Sequence, residues 1–116
     1  MKLESLVKQF ADSVKNQNDA VAKGDVRKGN EFAKIRSDIF DQIRFHGDEG
    51  REALTSLFTH ERADVRIMAA AFLLRYCEDR ARAVLEAEAK GPGLVAFGAG
   101  QALQRWTEGT WELDPA

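Results

Sequence analysis

Along almost the whole chain apolar residues recur every three or four positions, the period of an amphipathic helix and not the alternation of a strand. The first run is Leu3, Leu6, Val7, Phe10, Val14 and Val21, ending at Gly24. A glycine suits the position just past a helix C-terminus. Asp25 is placed to cap a second helix, which carries Phe32, Ile35, Ile39 and Ile43 on one face and stops at Gly47. The pattern predicts two long antiparallel helices over residues 1–47, joined at Gly24-Asp25. Shorter segments follow. Asp48 predicts the cap of a helix running to about Phe58, burying Ala53, Leu54, Leu57 and Phe58. The next, from about Arg62 to Tyr76, is apolar nearly all round, so it should lie buried between neighbours. Asp79 opens a fifth helix with Val84 and Leu85 inward, closed by Gly91-Pro92. A sixth runs from about Gly93 to Trp106 and ends by Gly109, leaving a tail, residues 107–116, with Trp111 and Leu113.

The fourth and sixth helices repeat one another at an offset of 30 residues. Val65 falls on Val95, Ala69 on Ala99, Leu73 on Leu103, Arg75 on Arg105 and Tyr76 on Trp106. Ala53-Leu54 falls on Val84-Leu85 with one residue deleted between the paired helices, and Arg44-Phe45 stands as a weaker third copy of Arg75-Tyr76. A period of some 30 residues carrying two helices predicts an α-solenoid, in which each pair buries its face on the next. The expected fold class is therefore all-α: an α-α superhelix of the HEAT/armadillo-like kind, with about six helices in three antiparallel pairs. One domain covers 1–116, the pairs being 1–47, 48–76 and 79–106.

The segment His60-Glu61-Arg62-Ala63-Asp64-Val65-Arg66-Ile67-Met68-Ala69-Ala70 resembles the inter-helix turn and second helix of a HEAT repeat. The wider pattern is carried by Gly24-Asp25, Lys28-Gly29-Asn30, Gly50-Arg51-Glu52-Ala53-Leu54, Val84-Leu85 and Ala102-Leu103-Gln104-Arg105-Trp106. It resembles a family of short bacterial proteins catalogued only as a domain of unknown function. The resemblance extends over most of residues 3–109. It implies the HEAT-like fold but no activity, since that family has none assigned; HEAT arrays in general hold other proteins.

Composition narrows the remaining classes. At 44% hydrophobic and 31% charged the chain is neither disordered nor a membrane protein, and no apolar run approaches the ~20 residues that span a bilayer. The start, Met1 to Lys8, mixes acids and bases into its apolar pattern, unlike a signal peptide, so a cytoplasmic protein is expected. The net charge of −2 lacks the basic excess through which nucleic-acid binders neutralise phosphate. Cys77 is the single cysteine, excluding an internal disulfide.

Candidate chemistry is sparse. The two histidines, His46 and His60, both sit in predicted turns, and no His-x-x-x-His, Glu-x-x-His or CxxC spacing occurs, so neither metal nor cofactor is expected. A Cys77–His60 dyad is one reading of the lone thiol; a small hydrophobe packed at a helix end is the other. Gly98 and Gly100 fall inside a helix, where each costs about 1 kcal/mol relative to alanine. A close helix–helix approach or a ligand groove would explain them. Arg66 is expected to bond acids or carbonyls of the adjoining repeat.

The residues singled out for binding a partner are Arg44, Arg75, Tyr76, Arg105, Trp106 and Trp111. In a solenoid, equivalent positions on successive second helices line one surface, and arginine beside an aromatic is the composition of interface hot spots. The competing reading is structural. A cation near a helix C-terminus is favoured by roughly 0.3–1 kcal/mol, and Trp111 can serve as a lid over the last pair. The sequence thus points to a non-catalytic protein-binding scaffold or adaptor, toxin-neutralising or regulatory, monomeric or weakly dimeric, whose partner offers an acidic face. A nucleic-acid or small-anion binder using the arginine ridge is the alternative, with an enzyme behind it.

Overall fold

The computed structural model of the protein describes residues 2–114. These are all-helical, with six α-helices, one short 3-10 helix and no strand among them. The chain divides into two compact units, Met1–Leu54 and Thr55–Ala116.

The first unit holds α1 (Leu3–Ala22), α2 (Val26–Phe45) and α3 (Gly47–Leu54). The expected hairpin is present. Gly24 takes φ +80°, a left-handed conformation that an L side chain rarely adopts. Asp25 then caps α2, its Oδ1 accepting from the Lys28 amide at 3.0 Å. Leu6, Val7, Phe10 and Val14 of α1 are buried, as are Ile39, Phe40 and Ile43 of α2. Phe10 meets Phe40 with ring centroids 6.5 Å apart and planes tilted by 58°. Each such side chain contributes about 1.5–3 kcal/mol by leaving water. The periodicity misjudged two positions: Val21 near the end of α1 and Ile35 in the middle of α2 stay 55% and 45% exposed, while Phe40 is buried.

Between α2 and α3 there is no loop to speak of. His46 is the C-cap of α2, and α3 starts at Gly47, which puts Asp48 in the first turn of α3 and not at its cap. Close approach makes this possible. A Cβ on Gly50 would stand 2.1 Å from the Ile43 carbonyl oxygen, so only glycine lets α3 fold onto the end of α2.

The second unit holds the 3-10 helix Thr55–Thr59, then α4 (Ala63–Phe72), α5 (Glu78–Ala89) and α6 (Gly93–Glu108). The helix expected to run from Asp48 to Phe58 therefore changes character at Thr55, where Thr55, Ser56 and Thr59 bring side chains that compete for backbone groups; Thr59 Oγ1 donates to the Ser56 carbonyl at 3.3 Å. As its sequence requires, α4 is buried, with Val65, Ala69 and Ala70 at 0% exposure. Ile67, Ala70, Leu74, Ala81, Leu85 and Ala99 form one core cluster, drawn from α4, α5 and α6.

Candidate functional site

Of the six residues singled out for binding, Arg44 belongs to the first unit and the other five to the second. Arg44 lies in the last turn of α2, half-buried, its Nη1 3.5 Å from Asp41 Oδ1. Its neighbour Phe45 is 90% exposed and stands edge-on to His46, ring centroids 6.4 Å apart.

In the second unit three of the five, Arg75, Trp106 and Trp111, take part in a docked C-terminal tail. Arg75 Nε donates to the Asp114 carbonyl at 2.6 Å, and its Nη2 lies 3.2 Å from Asp114 Oδ1. Asp114 is wholly buried, while the Arg75 side chain keeps 40% of its exposure. Trp111 Nε1 donates to the Ala71 carbonyl at 2.7 Å and stands edge-on to Trp106, centroids 5.2 Å apart. Trp106 and Trp111 both pack against the cluster of Ile67, Leu74 and Leu85, and Tyr76 is half-buried. Arg105 is the exposed member.

The tail also meets α4 where it stops. The periodicity predicts a helix through Tyr76, whereas α4 ends at Phe72 with Leu73 as C-cap. A helix continuing through Arg75 would use the Ala71 carbonyl for the Arg75 amide; the Trp111 indole N–H donates to that carbonyl. Residues 73–76 form turns instead, and Arg75 turns toward the tail acid. Trp111 thus lies half-buried between Trp106 of α6 and the Ala71 carbonyl of α4.

Arg66 also takes the structural role expected of it. Its Nε donates to Glu88 Oε1 at 2.6 Å, linking α4 to α5, and its Nη1 donates to the His60 carbonyl at 2.7 Å. Arg62 meets Asp64 through two bonds, Nε to Oδ1 at 3.0 Å and Nη2 to Oδ2 at 2.8 Å. Half-buried Arg36 donates to Gln17 across the α1–α2 hairpin, and burial lowers its pKa from the ordinary arginine value. The candidates for chemistry serve their own turns: Cys77 Sγ contacts the Leu73 carbonyl at 3.6 Å, and His60 Nδ1 accepts from the Arg62 amide at 3.0 Å. Among the described residues no group of three or more His, Cys, Asp or Glu could hold a metal ion. Nor is any helix among them long and apolar enough to cross a membrane.

Two features escaped sequence reasoning. One is Asp114, an acid in a short tail with no periodicity to mark it as buried. The other is the outer side of α6, where Leu94 is 87% and Phe97 64% exposed. A signal for the second existed: no charged residue occurs between Lys90 and Arg105 in a chain that is 31% charged. The expected close helix–helix approach at Gly98 and Gly100 is not there, since a Cβ at either would find nothing within 4 Å.

Residues 4–105 match a family described as Domain of unknown function (DUF2019). The chain belongs to this family. The match includes α1 to α5 and most of α6; Trp106, Trp111 and Asp114 lie beyond it. The fold also occurs in the crystal structure of the protein RPA1889 from Rhodopseudomonas palustris CGA009. That protein is 29% identical, with a TM-score of 0.89 over 97% of this chain and 93% of its own. No curated protein matches this chain.

Proposed function

We propose that this member of the DUF2019 family is a non-catalytic protein-binding module of HEAT-like helix pairs, acting as an adaptor or regulator in a bacterial cytoplasm. The observation that carries the reading is Phe45. An aromatic at 90% exposure, flanked by Arg44 and His46 at the end of a helix, contributes almost nothing to its own fold. Tyrosine, tryptophan and arginine dominate interface hot spots because they offer large contact areas with fixed polar geometry, and an exposed phenylalanine beside arginine offers a similar surface. The arginine ridge is reduced in this reading. Arg75 is committed to Asp114, so in this reading the contact is carried by Phe45 and its neighbours at the end of α2.

The test uses the full chain on a column, with host lysate passed over it and over two matched variants, Phe45→Glu and Arg105→Glu. Both side chains are exposed, so circular dichroism should find each variant folded. One protein retained near stoichiometrically by the native chain, and at least ~tenfold less by Phe45→Glu, is the expected result. Retention undiminished by Phe45→Glu would reject this surface. Retention of polynucleotide alone, falling steeply with salt, would reject the protein-binding reading in favour of the anionic-ligand alternative.

A further inference from the structure

Phe45 stands in acidic surroundings. On α2, Asp38 and Asp41 precede it by seven and four residues, the spacing that puts all three on one side of a helix. That side is turned away from the buried Ile39, Phe40 and Ile43. Just beyond Phe45, Asp48 and Glu49 occupy the first turn of α3. From Ser37 to Glu49 the chain carries four carboxylates and one fixed cation, Arg44, a net charge of −3 against −2 for the whole protein.

Burial sharpens the imbalance. The side chains of Asp41 and Asp48 keep 68% and 82% of their exposure, while their arginine partners Arg44 and Arg51 keep 33% and 16%. The two contacts measure 3.5 and 3.4 Å, the weak surface kind. Such arginines lay their stems along the protein, whereas the carboxylates stand in water, as do those of Asp38 and Glu49. At this end of the hairpin α1 adds no net charge: Lys2 is offset by Glu4, and Lys8 pairs with Asp12 at 2.9 Å.

From this we infer that the partner meeting Phe45 is a protein with a basic face, whose lysine and arginine side chains meet Asp38, Asp41, Asp48 and Glu49 around the phenylalanine. This partner chemistry rests on the protein-binding reading of Phe45 and extends it. A phenylalanine at 90% exposure offers contact area, and the face of its ring attracts a guanidinium or ammonium laid over it. Asp41 lies one turn back on the same side, so a cation over the ring also finds a carboxylate, which arginine can grip with two parallel bonds. Acids around the anchor speed encounter with a basic surface and repel an acidic one. The charge is opposite to that of the acidic partner expected from a row of exposed arginines, because Arg75 is held by Asp114 and Arg44 by Asp41. Polynucleotide is disfavoured for the same reason, since its phosphates would face four carboxylates.

The test replaces Phe45 of the full chain by photoreactive p-benzoylphenylalanine and irradiates it in host lysate. Mass spectrometry then identifies the cross-linked protein and which of its residues are joined to position 45. A second arm measures retention of that protein by columns of the native chain and of Asp38→Lys/Glu49→Lys, at about 50 and about 500 mM salt. Both substituted side chains are exposed, so circular dichroism should find the variant folded. Cross-links should fall in a surface rich in lysine and arginine. Retention by the native chain should drop at least ~tenfold between the two salt concentrations, and the charge-reversed chain should retain at least ~tenfold less at the lower one. A partner joined through an acidic or neutral surface, or held equally by the charge-reversed chain, overturns the basic face and leaves the Phe45 reading standing. A cross-link to polynucleotide alone, or no cross-linked protein, overturns both.

Discussion

Arg75 and Asp114 allow a prediction in which the order of two effects, and not only their size, is fixed by the structure. Asp114 is wholly buried; the Arg75 side chain keeps 40% of its exposure. Removing one partner of a fully buried ion pair costs about 3–5 kcal/mol, chiefly by stranding the other charge away from water. The two truncations strand different charges. Arg75→Ala takes the cation from a carboxylate that water does not reach, and also removes the 2.6 Å bond to the Asp114 carbonyl. Because the guanidinium side of the pair is open to solvent, roughly half the buried-pair figure applies, about 2 kcal/mol. Asp114→Ala leaves a guanidinium that can turn to water and keep its bond to the backbone carbonyl, so no charge stays buried and the loss is nearer that of a solvent-open ion pair, about 1 kcal/mol. The assay is urea unfolding followed by tryptophan fluorescence. Both tryptophans, Trp106 and Trp111, belong to the tail contact, so the signal reports the second unit directly. With a slope near 1 kcal/mol/M for a unit this small, Arg75→Ala should lower the midpoint by about 2 M and Asp114→Ala by about 1 M. The double variant should cost less than the sum of the two. Asp114→Ala costing as much as Arg75→Ala, or both costing under ~0.5 kcal/mol like an ordinary surface pair, would refute the reasoning.

Other positions give shorter tests. Gly50→Ala forces a Cβ to 2.1 Å from the Ile43 carbonyl oxygen and should destabilise the first unit by about 1–3 kcal/mol, measured by circular dichroism in urea. Gly98→Ala, in open space, should instead stabilise the second unit by up to ~1 kcal/mol, measured the same way. Arg66→Ala breaks the 2.6 Å bond to Glu88 and the 2.7 Å bond to the His60 carbonyl, both half-buried, and should cost about 2 kcal/mol in tryptophan-detected unfolding. Arg36 carries a cation that burial disfavours, so its folded pKa lies below the unfolded one. A lowered cation is penalised at every pH below its folded pKa, and for arginine that includes the whole working range. The penalty is therefore constant with pH and visible only by substitution. Arg36→Met, with Gln17→Leu to match, should unfold within about 1 kcal/mol of the native chain or above it, in thermal scans.

How much of this could be read in advance differs by element. Local signals were sufficient for α1, α2 and their turn, because Gly24 and Asp25 act through their own backbone and the apolar stripe of α1 repeats over four turns. They were sufficient for the burial of α4, where hardly any residue between Val65 and Leu74 is polar. Arg66 was legible too: the resemblance of residues 60–70 implied a bond to acids or carbonyls nearby, and Arg66 meets Glu88 and the His60 carbonyl. The family membership agrees with the resemblance that those same residues carry.

Where residues distant in sequence compete for one group, the chain by itself determined less. Nothing local says that α4 should end at Phe72, nor that Trp111, 40 positions from Ala71, will deliver an indole N–H to the carbonyl one residue before that end. The repeat placed Arg75 and Arg105 as equivalents, and only the folded tail made them unlike, by giving Arg75 a buried acid and leaving Arg105 in water. Val65 and Val95 are the same residue at the same place in the repeat, yet one is at 0% exposure and the other at 43%. Sequence determines which side chains a helix offers. Whether they are core or surface is decided by what packs against that helix, and among the described residues nothing covers Leu94 and Phe97 of α6.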